Sequence, residues 1–235
     1  MDFVAGEVLY IDKPLGWTSF DVVNKIRYNF KTKLGIKKIK VGHAGTLDPL
    51  ATGVVIICTG KATKRIEEYM GHDKEYLATI RLGATTPSYD LEKDIDATYP
   101  YEHITYEKVK EVLQKHFTGE IDQVPPMFSA IRIDGKRAYE YARKGDETVE
   151  LKSRKITIHN IEIEKIALPD VTLRIRCSKG TYIRSIARDL GLALESGGHL
   201  IALERTAVGD VRKEDTQSVE EFLALLDKME KHSKV

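Results

Sequence analysis

The sequence predicts an α+β protein with a central mixed, mostly antiparallel β-sheet and flanking helices, and three observations lead there. Runs with strand periodicity and runs with helix periodicity are both present. Several strand-like runs follow one another directly, which argues against a doubly wound parallel sheet. The 235 residues, 42% hydrophobic and 31% charged, suffice to bury a proper core, and no repeat, low-complexity stretch or Pro/Ser-rich linker divides them. One domain over residues 1–235 is the simplest partition.

In chain order, "GEVLYID" reads as a short strand. "TSFDVVNKIRYNF" reads as a helix opened by the pair Thr18 and Asp21, with Phe20, Val23, Ile26 and Phe30 near helical spacing. "VVIICTG" is short and β-branched, hence a strand, and "KATKRIEEYM" is a helix. "EYLATIRLG" places Tyr76, Ala78, Ile80 and Leu82 on one strand face. "TYEKVKEVLQKHF" gathers Val109, Val112, Leu113 and His116 on one helical face, His116 at the core edge. "FSAIRI" is a strand ended by an Asp134-Gly135 turn, and "RAYEYARKG" a short helix stopped by Gly145. "RKITIHNIEIEKIAL" and "VTLRIRCS" alternate as adjacent strands. "TYIRSIARDLGLALESGG" is a helix with two terminal glycines, "LIALERTAVG" a strand, and "SVEEFLALLDKM" a helix capped by Ser218 with Glu221.

Composition excludes several function classes. No apolar run reaches the roughly 18 residues of a membrane span, and "MDFVAGEVLYIDKPLG" lacks the basic start and apolar centre of a signal peptide, so the cytoplasm is the expected location. Cys58 and Cys177 sit in apolar runs without CxxC or Cys/His spacing, which marks them as reduced core residues. The seven histidines form no HxH or HExxH pair, so no metal is expected. Net charge is only +1, yet its sign is segregated. "KTKLGIKKIK" (31–40) holds five lysines and no acid, "RIRCSKGTYIRSIAR" (174–188) is wholly basic, and acids collect in "DLEKDID" and "EDTQSVEE". Such segregation lets a near-neutral protein present a phosphate-binding face.

The most informative stretch is "KVGHAGTLDPLATGVVIICTGKATK", residues 40–64. Its one carboxylate, Asp48, lies among Gly45, Pro49 and Gly53, residues that fix an unusual backbone path and admit another chain closely. A nucleotide-binding P-loop is excluded, because Val55 stands where GxxxxGK[ST] needs glycine and Ala62 where it needs Ser or Thr. No second acid is marked out for a glycosidase-type pair. On the loop alone, a turn aspartate bonding its own backbone is the plain alternative to a catalytic one.

The stretch closely resembles the signature of the tRNA pseudouridine synthase B (TruB) family, and it does not stand alone. "IDKPLGWTS" (11–19), "KEY" (74–76), "QVPPMFSAIRIDGKRAYEYARKG" (123–145), "CSKGTYIRSIARDLG" (177–191) and "HLIALERTAVG" (199–209) resemble further elements of that family in its order, over almost the whole chain. The resemblance implies the pseudouridine synthase fold and an isomerase acting on uridine 55 in the T-loop of tRNA. It implies Asp48 as nucleophile, Tyr76 packed on the target base as proton acceptor, and Arg184 paired with the Asp48 carboxylate. Tyr182 and Leu203 would line the uracil pocket, His43 would fill the gap left by the flipped base, and Lys64 would contact substrate.

The implied chemistry needs no cofactor. A C–N glycosidic bond breaks and a C–C bond forms to the same ribose, with no redox change and no water consumed. A buried carboxylate resists ionisation unless a cation is close, which suits Arg184. Flipping a base costs a few kcal/mol, and an aromatic stacking partner returns about 1–3 kcal/mol. The expected partner is the tRNA T-arm, bound by a monomer without guide RNA, metal or membrane. The alternatives are a guide-dependent synthase of the H/ACA type and an RNA-binding or RNA-folding protein without the chemistry.

The sequence also departs from the family pattern. "FSAIR" stands for YSAxK, placing Phe128 and Arg132, and Glu204 replaces a usual basic residue. After Gly209 only a helix and a charged tail are expected, with no PUA domain.

Overall fold

The computed structural model of the chain describes residues 1–129, 131–133, 136–143 and 151–232. In β1 (Val8–Lys13) Leu9, Ile11 and Lys13 are buried and the intervening residues half-exposed, the period of two of a strand with one covered face. α1 (Ser19–Lys33) opens on the expected capping box: Asp21 N donates to Thr18 Oγ1 at 3.0 Å and Thr18 N to the Asp21 carboxylate at 2.8 Å. Those bonds hold the Asp21 carboxyl below its usual range. β2 (Val41–His43) precedes β3 (Ala51–Thr59), in which only Thr52 is not buried. The helix expected over 61–70 begins as a 3-10 stretch, Gly60–Arg65, and becomes α2 (Ile66–Gly71). β4 (Lys74–Leu82) buries Tyr76, Ala78, Ile80 and Leu82, the face read from the alternation.

The short strands β5 (Ala84–Thr85) and β6 (Ala97–Thr98) pair with each other before α3 (Tyr106–His116). α3 turns Val109 and Leu113 inward, but His116 is exposed, contrary to the core-edge expectation. The next step of four residues, 109 to 113 to 117, hands the core position to Phe117, 3% exposed. β7 (Gly119–Gln123) follows. "FSAIRI" yields only the two-residue β8 (Arg132–Ile133), paired with β9 (Lys136–Arg137). The carbonyls of Ser129 and Ile131 accept instead from Tyr139 N and Ala138 N at the start of α4 (Ala138–Arg143). The turn expected at Asp134-Gly135 and the helix stop at Gly145 lie outside the described residues, as does the side chain of Arg132.

β10 (Arg154–Ala167) and β11 (Asp170–Cys177) form the expected antiparallel pair, and α5 (Ile183–Ala193) starts only after Tyr182. β12 (Gly198–Val208), β13 (Val211–Arg212), β14 (Gln217–Ser218) and α6 (Val219–His232) complete the described residues. α6 is capped as read: Glu221 N donates to Ser218 Oγ at 3.1 Å and Ser218 N to the Glu221 carboxylate at 2.7 Å.

The residues divide into two compact units, Met1–Tyr76 with Leu203–Val235, and Leu77–Ala202. In the first, the strand order is β14-β1-β3-β12. β1 runs antiparallel to β3, β3 parallel to β12, and β14 parallel to β1, so the sheet is mixed as expected. Cross-strand neighbours share a face. Leu9, Ile11 and Lys13 therefore lie with Ile57, Val55 and Gly53, while Tyr10 and Val8 lie with Ile56 and Cys58. The second set packs with Ala44, Val54, Tyr69 and Val208. Burial pushes the Cys58 thiol up to about 11, in keeping with an inert core residue. Phe3, Phe30 and Phe222 make a second cluster, with ring centroids 4.5 to 6.1 Å apart.

In the second unit the order is β4-β11-β10-β7, with β10 antiparallel to both neighbours. Arg81 grips the Asp170 carboxylate with two bonds, 2.8 and 2.9 Å, and the Thr79 and Thr172 hydroxyls meet at 3.1 Å. Among the described residues no helix is long and apolar enough to cross a membrane.

Candidate active site

The backbone around Asp48 is held from several directions by buried side chains of the first unit. Arg205, 1% exposed, donates from Nε to Val54 O at 2.7 Å, from Nη1 to Thr46 O at 3.3 Å and from Nη2 to Gly45 O at 3.2 Å. Ser19, also 1% exposed, brackets Leu47: its Oγ accepts from Leu47 N at 2.9 Å and donates to Leu47 O at 3.3 Å. Lys13, with no exposed surface, donates from Nζ to Trp17 O at 2.6 Å, Pro14 O at 3.0 Å and Pro49 O at 3.5 Å. Gly16 N adds a bond to Pro49 O at 2.8 Å, and Ala51 N one to Asp48 O at 3.0 Å. Asp48 itself is half-buried, and the backbone on both sides of it is fixed by these bonds.

Three further expected residues lie in this unit by construction of the strands. β2 pairs with β3 through His43 and Ile57, and Ala44 N continues that ladder to Ile56 O at 2.9 Å, placing His43 just ahead of the loop. Burial, and then the Arg205 charge, push the His43 imidazole below its ordinary pKa. A ring shifted in this direction is mostly neutral at pH 7. Leu203 stands opposite Ala51 in the parallel β3–β12 pair, three residues past Asp48. Tyr76, 8% exposed, is on the buried face of β4. Lys64 is exposed on the Gly60–Arg65 stretch, apart from the bonds that hold the loop.

Tyr182 and Arg184 lie in the second unit. Buried Gln123 clamps the Tyr182 backbone, donating to its carbonyl at 3.1 Å and accepting from its N–H at 2.8 Å, and the Arg154 guanidinium lies 5.7 Å from its ring centroid. Arg184, 5% exposed, donates from Nη1 to Phe128 O at 2.9 Å and Ser88 O at 3.4 Å, and its Nε is 3.7 Å from the Asp90 carboxylate. Phe128, one departure from the family pattern, thus serves Arg184 through its backbone, and its ring lies 5.6 Å from Lys93 Nζ. Glu204, another departure, is in an ion pair with Lys213.

Sequence reading missed Lys13, Ser19 and Arg205 as the residues that hold the loop. A signal existed for two of them. Lys13 falls on the Leu9/Ile11 face of β1, and Arg205 alternates with Leu203 and Ala207 in β12, so each is a cation on an otherwise apolar face. Burial pushes the Lys13 ammonium down to about 8, with the Asp48 carboxylate the strongest opposing influence. Loop anchor and carboxylate are therefore electrostatically linked. Among the described residues no three His, Cys, Asp or Glu side chains gather as metal ligands would.

Residues 31–183 match the family model described as TruB family pseudouridylate synthase (N terminal domain), and residues 184–234 the tRNA pseudouridylate synthase B C-terminal domain. The tRNA pseudouridine synthase B of Phocaeicola vulgatus is 66% identical over 230 residues, covering 98% of this chain and 97% of that protein. Its namesake from Chlorobium luteolum is 51% identical over 94% of this chain and 75% of that protein. Among solved structures, a Cbf5-Nop10-Gar1 complex contains a chain 30% identical, with a TM-score of 0.71 over 94% of this chain. A chain of an H/ACA RNP bound to a substrate RNA containing 2'-deoxyuridine is 28% identical, with a TM-score of 0.67. This chain spans 54% of each of those two longer chains.

Proposed function

The chain belongs to the TruB family of pseudouridylate synthases, and from that premise we propose that it converts uridine 55 in the T-loop of tRNA to pseudouridine, with Asp48 as nucleophile and without guide RNA or cofactor. The observation that carries the residue assignment is the fixing of Gly45, Thr46, Leu47 and Pro49 by Arg205, Ser19 and Lys13 on either side of a half-buried Asp48. Such rigidity suits a carboxylate that must meet one atom of a flipped nucleotide.

The reaction isomerises the nucleoside: the bond from N1 to the ribose breaks, one from C5 forms, C5 loses its proton and N1 gains one. Tyr76 stacks on the detached base and accepts a proton. His43 occupies the gap the base leaves in the RNA, and Leu203, Tyr182 and Lys64 contact substrate. Arg184, fixed by Phe128 and Ser88 carbonyls, is the cation of the catalytic set. Its expected pairing with Asp48 is part of this proposal.

Likeness to chains of a Cbf5-Nop10-Gar1 complex and of an H/ACA RNP favours a second reading, a synthase that acts only within an assembly of RNA and partner proteins. Mass-spectrometric mapping of an unmodified tRNA transcript incubated with the purified protein alone separates the two. Pseudouridine at the T-loop position supports the autonomous enzyme. Intact RNA binding without product refutes it.

A further inference from the structure

We propose that the outer face of α1 and the lysine-rich segment after it form a second phosphate-binding site, one that holds the backbone of the substrate RNA away from the reacting uridine. The inference rests on the RNA substrate proposed above and locates where the first unit grips it. Segment 34–40 is tied at both ends: Ile36 N donates to Phe30 O at 3.1 Å, and Lys40 O accepts from Gly60 N at 2.9 Å. Between it and the helix lies a groove of about 680 Å³, lined among others by Arg27, Tyr28, Lys31, Lys37, Lys38 and Lys40.

The groove is cationic without internal compensation. Among the described residues no carboxylate lines it, and none lies within ion-pair distance of these five cations. Nearby Lys33, by contrast, is paired with Asp227 at 2.6 Å. Exposed cations scattered over a surface need no ligand, but four lysines and an arginine lining one concavity repel each other and attract a polyanion. Tyr28, 64% exposed, sets an aromatic ring among them, a platform on which a base or ribose can stack.

Two contacts connect this groove with the Asp48 loop. Arg27 donates from Nη2 to Val41 O at 3.1 Å, fixing its guanidinium on the first residue of β2, two positions before His43. A second groove of about 500 Å³ continues the same helix face from Asn24 back to Trp17 and Gly16. Gly16 N is bonded to Pro49 O, next to Asp48. From Asp21 to Lys31 the helix face runs about 15 Å at ~1.5 Å per residue, room for a few nucleotides of one strand. Asp21 lines the second groove as well, but its carboxylate is engaged by the Thr18 cap.

The test replaces four exposed lysines together, Lys31→Gln, Lys37→Gln, Lys38→Gln and Lys40→Gln. The control, of equal net charge, carries Lys110→Gln, Lys115→Gln, Lys152→Gln and Lys165→Gln. Fluorescence anisotropy with tRNA transcript across a KCl series reads affinity and its salt slope. Four lost phosphate contacts make the slope of log K against log salt shallower by about 3, at ~0.7–0.9 per contact. The groove variant is expected to show that loss and at least a tenfold weaker affinity, with little change in the control. Tyr28→Ala weakens binding with the slope unchanged. A groove variant indistinguishable from the control overturns the inference. Pseudouridine formation by wild type is measured alongside: product with unaltered groove-variant binding refutes this site alone, whereas no product with the altered slope refutes the proposed reaction and leaves the site standing.

Discussion

Lys13 makes stability and activity respond oppositely to pH. Its ammonium has no exposed surface and a pKa near 8 against an ordinary 10.5. Between those values the unfolded chain holds more protons at this lysine than the folded one, so Lys13 makes folding more favourable as pH rises. At about 1.4 kcal/mol per pH unit, the gain begins near pH 8 and approaches about 3.4 kcal/mol above 10.5. Below pH 8 the buried charge imposes that same cost. The protonated form also anchors Pro14, Trp17 and Pro49 and faces the Asp48 charge, so its loss loosens the loop. Urea unfolding of wild type and Lys13→Met from pH 6.5 to 10 isolates the residue, since all other titrations are common to both. The stability of wild type relative to Lys13→Met should climb by about 2.5 kcal/mol by pH 10, while wild-type turnover falls with an apparent pKa near 8. A difference independent of pH would refute the depressed pKa and the reasoning built on it.

Other perturbations probe the same frame. Arg205→Met strands the buried Val54 carbonyl, at about 1–3 kcal/mol, and takes a bond of about 0.5–1.5 kcal/mol from each of the less buried Gly45 and Thr46 carbonyls, so a loss of about 2–6 kcal/mol is expected in chemical denaturation. It also removes the cation that helps depress His43, and the imidazole pKa followed by NMR should rise. Arg205→Lys should not restore stability, because a single ammonium cannot reproduce the three-pronged fork. Gly53→Ala sets a Cβ 2.2 Å from Arg205 O at φ +104°, forcing β3 from β12, whereas Gly16→Ala at φ +80° meets nothing within 4 Å. The first should cost at least about 3 kcal/mol and the second about 1 kcal/mol in thermal unfolding. Equal losses would show that crowding at Gly53 is unimportant.

Much of this frame was legible from local chemistry. The Thr18–Asp21 and Ser218–Glu221 caps, the alternation of β4 and the β10–β11 pair each depend on residues a few positions apart, and the structure contains them all. What was not legible depends on long-range contacts. "FSAIRI" has strand composition, yet its carbonyls are taken by α4, a competition invisible in the run itself. His116 lost its core position to Phe117 because both fit the helical face and only packing chooses. Asp48 stands out by its glycines and proline, but its supports come from Lys13, Ser19 and Arg205, which lie in family-like motifs that by themselves give these three residues no role. A charge on an apolar strand face was the clue, and burial gave it meaning.

The most direct test of the central claim follows tritium release from tRNA transcript labelled at C5 of uridine, since C5 surrenders its proton only when the new C–C bond forms. Wild type and Asp48→Asn are compared with tRNA binding measured in parallel. Release by wild type, with Asp48→Asn at the no-enzyme background and binding tRNA as wild type does, is the predicted result. Turnover by Asp48→Asn within tenfold of wild type would contradict the assignment of Asp48 as nucleophile.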